Sequence, residues 1–62
     1  MDPLEALQAK VTEAFKTASL LVAFVQAGGR VAPGEIESAL AVHERASNEY
    51  TAAVLAELKE RR

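Results

Sequence analysis

One interruption governs what this chain can become. Gly28-Gly29, then Arg30-Val31-Ala32 and Pro33, separate two long segments whose apolar residues recur at spacings of three and four. That spacing is the signature of a helix packed along one face. Glycine adopts the left-handed conformation at little cost and commonly sits just past a helix end. Proline suits the first position of a helix, where its missing N–H is not needed. The pattern predicts a helix over 3–27, a loop over 28–32 and a second helix over 33–60. A connection this short makes the helices antiparallel neighbours. The expected fold class is all-α: an antiparallel two-helix hairpin over 1–62 as a single domain, pairing into a four-helix bundle.

The ends of both helices carry the expected signals. Asp2 can cap the first helix, Pro3 fits its first position, and Glu5 suits the positive end of its dipole. Its stripe runs Leu4, Leu7, Val11, Ala14, Ala18, Leu21 and Val25, widened by Phe15 and Val22. Pro33 and Glu35 repeat the opening for the second helix, although Ala32 offers no capping side chain. The second stripe runs Ile36, Leu40, His43, Ser47, Tyr50, Val54 and Leu58, flanked by Ala39, Ala46 and Ala53. Lys59, Arg61 and Arg62 complement its negative end, and Glu57 can pair with Arg61 at i,i+4. In the antiparallel hairpin, Asp2 and Glu5 are expected near those basic residues.

Size sets the functional expectation. The chain has 62 residues, and domains this small bury only about 60% of the surface their unfolded chain exposes. Small folds add disulfides, a metal or a second subunit. Cysteine is absent and there is one histidine, which excludes disulfides and leaves any zinc site to carboxylates. Extra burial is therefore expected from a partner. Both stripes are broader than one seam needs. Leu20, Phe24 and Ala27 lie on a flank of the first, and Val42 and Leu55 stand away from the second. Together with His43 and Tyr50 they form the expected partner or dimer interface. A polar group of His43, Ser47 and Tyr50 in an apolar seam could fix register and partner choice. The expected partner is a second copy or another helical protein.

Other chemistries find little support. The longest wholly apolar run, Leu20 to Val25, is far short of the ~20 residues of a membrane span. The opening Met1-Asp2-Pro3 lacks the basic start of a secretory signal, so a cytoplasmic location is expected. No cysteine nucleophile exists, and the only aspartate, Asp2, is committed to a cap. His43-Glu44 is followed by Ser47 rather than by the second histidine of a zinc protease. Gly28-Gly29-Arg30 lacks the remainder of a phosphate-binding loop. No catalytic residue, cofactor, metal or small-molecule substrate is expected.

Net charge is −2, which disfavours nucleic-acid binding by bulk charge. Lys10 and Lys16, with Phe15 between them, are the one basic–aromatic cluster, and Glu13 sits among them. In length and layout the chain resembles the Rop-like regulators of plasmid copy number, hairpins that dimerise into a four-helix bundle and bind paired RNA loops. That resemblance covers architecture and length, with no shared motif. It implies an RNA-binding regulator as the alternative to a small assembly, adaptor or chaperone-like factor. A third possibility is a structural subunit of a larger complex, such as a secretion machine or a phage particle.

Overall fold

Helix α1 covers Pro3–Gln26 and helix α2 covers Glu35–Glu60 in the computed structural model, which describes residues 2–61. Helix α1 begins where the local chemistry requires. The Asp2 carboxylate accepts the Leu4 N–H at 2.9 Å, and Pro3 occupies the first turn. Its end is a Schellman motif built on both glycines. Gly28 has φ +99° and donates to the Val25 carbonyl at 3.0 Å, while Gly29 donates to the Phe24 carbonyl at 2.8 Å. The Phe24 ring lies over Gly29, where a Cβ would collide with it.

The second helix starts two residues later than the periodicity predicts, and Pro33 stands outside it. The reason is local. Gly34 has φ 80° and ψ −3°, and the Glu35 N–H returns to the Ala32 carbonyl at 3.1 Å. Those values belong to a type II turn with proline and glycine in its central positions. A left-handed Gly34 cannot be part of the helix, so α2 begins at Glu35. The helix has no side-chain cap, and the Glu35 carboxylate instead ties down the turn before it by accepting the Ala32 N–H at 3.1 Å.

The helices run antiparallel. Phe15 meets His43 and Lys10 meets Glu49, so the register falls in α2 as it rises in α1. Extending it sets Pro3 beside Ala56, and both border one cleft with Asp2, Glu57 and Glu60. The rest of α2 overshoots the start of α1 by about one turn. Arg61 bonds Glu57 of its own helix at 2.7 Å, while Asp2 borders Glu57 and Glu60, and among the described residues no ion pair joins Asp2 or Glu5 to the basic end of α2. Arg62 lies outside the described residues.

The resulting plate measures 51 × 19 × 14 Å, one helix layer thick. Its radius of gyration is 14.8 Å, against about 10.6 Å for a compact domain of this length. Among the described residues no helix is long and apolar enough to cross a membrane.

Candidate partner-binding surface

The seam is made of alanine. Among the described residues, Ala14 and Ala18 of α1 and Ala46 of α2 are the buried apolar residues, and no large side chain is fully buried. Small residues let the two backbones approach closely, which leaves little room for larger neighbours between them. Leu4, Leu7, Val11, Leu21, Ile36 and Val54 are half-buried along the edges of this narrow contact. Phe15, Leu40 and Leu58, expected within the packed stripes, are instead at least half exposed, and Val22 and Val25 are also exposed.

Closing on alanine leaves a groove on each side of the seam, and the two differ in chemistry. One is bordered by Lys10, Glu13, Thr17, Val42, Arg45 and Glu49. Lys10 Nζ lies 3.9 Å from a Glu49 carboxylate oxygen across it. The other is bordered by Phe15, Ser19, Val22, Gln26, Leu40 and His43, with no charged side chain. There the Phe15 and His43 rings sit 5.7 Å apart, tilted by 54°. The helical period carries Leu58 of α2 onto this same side.

The residues expected at an interface do not form one surface. His43 lines the uncharged groove and is half-buried; Val42 lines the charged one. Tyr50 and Ser47 are half-buried near the seam, at the helical spacing from His43 that puts the three on one side of α2. Leu20 and Leu55 are exposed, and their helical positions turn them away from the seam. Ala27 is exposed at the end of α1, and Phe24 is engaged with Gly29. Phe15, Leu40 and Leu58 are the largest apolar residues that the helical periodicity assigns to the seam and the structure leaves open. The signal that could have found them is the alanine content of the stripe, because an alanine seam admits only its closest positions.

Among the described residues no group of three or more His, Asp or Glu side chains could hold a metal ion. The basic–aromatic cluster is divided: Lys10 faces one groove beside Glu13 and Glu49, while Phe15 faces the other. No protein-family model matches the chain, and neither the curated proteins nor the solved structures give a match.

Proposed function

We propose that this chain is a non-enzymatic protein–protein interaction module, a small assembly, adaptor or chaperone-like factor that works as half of a four-helix bundle. Its mechanism is burial of the uncharged face beside the seam against another helical surface. One observation carries the reading. Among the described residues the buried core is three alanines, while nine larger apolar side chains, Phe15, Leu40 and Leu58 among them, stand exposed. Burial of apolar surface is the main favourable term in folding and in association, and those exposed side chains remain available to it within the single hairpin.

The divided basic cluster favours protein over RNA as the partner. Lys10 already faces Glu49, and an acid-flanked pair of lysines is a poor phosphate-binding face. A structural subunit of a larger complex would use the same apolar face in the same way.

Circular dichroism over a dilution series tests the proposal. Helicity should fall as the purified chain is diluted and recover when its partner is supplied. A chain that stays fully helical and melts cooperatively at every dilution, unaltered by association, would remove the reason for a partner.

A further inference from the structure

We infer that the occupant of the uncharged face is a second copy of this chain. The two plates stack through their Phe15–His43 grooves, and the Lys10–Glu49 grooves face outward. This rests on the interaction reading and adds to it the partner and the side.

Area is the first argument. The hairpin exposes 5007 Å², whereas a folded monomer of its mass exposes about 3,900 Å², so the excess is about 1,100 Å². A standard stable interface removes about 800 Å² from each partner. One partner on one face is therefore the amount of burial the hairpin lacks. A second copy brings a plate of matching 51 × 19 Å outline, able to cover the whole face.

Charge chooses the side. Stacking through the other groove would take Lys10, Glu13, Arg45 and Glu49 of each copy out of water, and each desolvated charge carries a penalty that only well-made pairs offset. The uncharged groove imposes none of this.

Symmetry supplies the third argument. Phe15 and His43 lie within about one turn of the middle of the plate, by the register of the two helices. A two-fold axis in the interface plane, along the helices or across them, collects both Phe15 and both His43 side chains into one central layer. Two-fold interfaces need a patch complementary to itself. These residues meet that need. A neutral imidazole donates at one ring nitrogen and accepts at the other, so histidine can bond to a copy of itself. Aromatic rings pair in offset or edge-to-face arrangements.

Sedimentation equilibrium of the full chain, run with two variants, tests the inference. The wild-type chain should sediment at twice its 6.6 kDa mass. Leu40→Glu should weaken the dimer by ~100-fold or more, since each interface then loses two leucines and gains two charges. Val42→Glu should change the dimerisation constant by less than ~3-fold, as a surface change usually does. Both positions are about half exposed in the hairpin, 50% and 56%, so neither charge enters its own seam. Alkylation gives a second readout in a chain without native cysteine. A thiol introduced by Ser19→Cys should react at least ~10-fold more slowly once the dimer forms, because the face is then removed from water. One introduced by Thr17→Cys, in the other groove, should not change.

Dissociation by Val42→Glu but not by Leu40→Glu overturns the choice of face, as does equal protection of the two thiols. A wild-type monomer that is poorly helical at every concentration overturns the second copy while leaving the interaction reading intact. A wild-type monomer that is fully helical and melts cooperatively overturns both.

Discussion

The two grooves beside the seam are cut by the same pair of backbones and differ only in what borders them. On one side Lys10, Glu13, Arg45 and Glu49 surround a shallow floor of alanine. On the other, Phe15, Val22, Leu40 and His43 border it with no charge. The alanines at 14, 18 and 46 decide that the helices pair. The positions one step round each helix decide what the pair can then meet. Hairpin formation and partner choice thus reside in different residues, and substitutions can act on one without the other.

The largest effect should come from the uncharged side. At concentrations where the chain associates, Phe15→Ala should lower the unfolding free energy by about 3–5 kcal/mol per chain, the range for removing a packed phenylalanine. Val42→Ala in the charged groove should change it by less than about 0.5 kcal/mol. Urea denaturation followed by circular dichroism measures both. Equal losses would mean that the chemistry of the two grooves does not matter to stability.

A change in the seam itself should fall next and should ignore the distinction between faces. Ala46 is 7% exposed, so Ala46→Leu must push the helices apart, and overpacking of this kind costs about 1–3 kcal/mol. The thermal midpoint reports it. An unchanged midpoint would show that Ala46 is not the point of closest approach. The loop gives a smaller effect. Gly34→Ala forces a side chain into φ 80°, for a loss of about 1 kcal/mol. Its melting curve should shift without any change in mass, because nothing lies within 4 Å of a Cβ placed there.

These residues also mark how far the sequence could be read. Asp2-Pro3 and Gly28-Gly29 signal their helix ends by chemistry confined to a few adjacent residues, and the structure forms both as expected. Pro33 was harder, because proline is equally at home in the first turn of a helix and in the second position of a type II turn. Gly34, which follows it, supplies the positive φ that decides for the turn. The stripes gave the two helices and their pairing. They could not give the angle at which each stripe meets its neighbour. That angle depends on which side chains make the closest approach, a property of two helices together. Phe15 and Leu40 therefore read as seam residues although the alanine contact leaves them outside, and Leu20 reads as a flank of the first stripe although it points elsewhere, whereas Leu55 stands away from the second stripe in sequence and structure alike.

The smallest effect belongs to the charged groove and sharpens the comparison most directly. Lys10 and Glu49 form the interhelical ion pair among the described residues, at 3.9 Å with side chains 67% and 47% exposed. Water screens such a pair, and exposed pairs contribute between nothing and about 1 kcal/mol. Lys10→Met, Glu49→Gln and the double variant should yield a coupling energy below about 0.5 kcal/mol, vanishing in 1 M salt, where the screening length is about 3 Å. If the pair faces outward, this coupling should be the same in the associated chain as in a Leu40→Glu background. A coupling that grows on association would mean that water has been removed from around Lys10 and Glu49. The charged groove, and not the Phe15 side, would then be the surface that a partner covers.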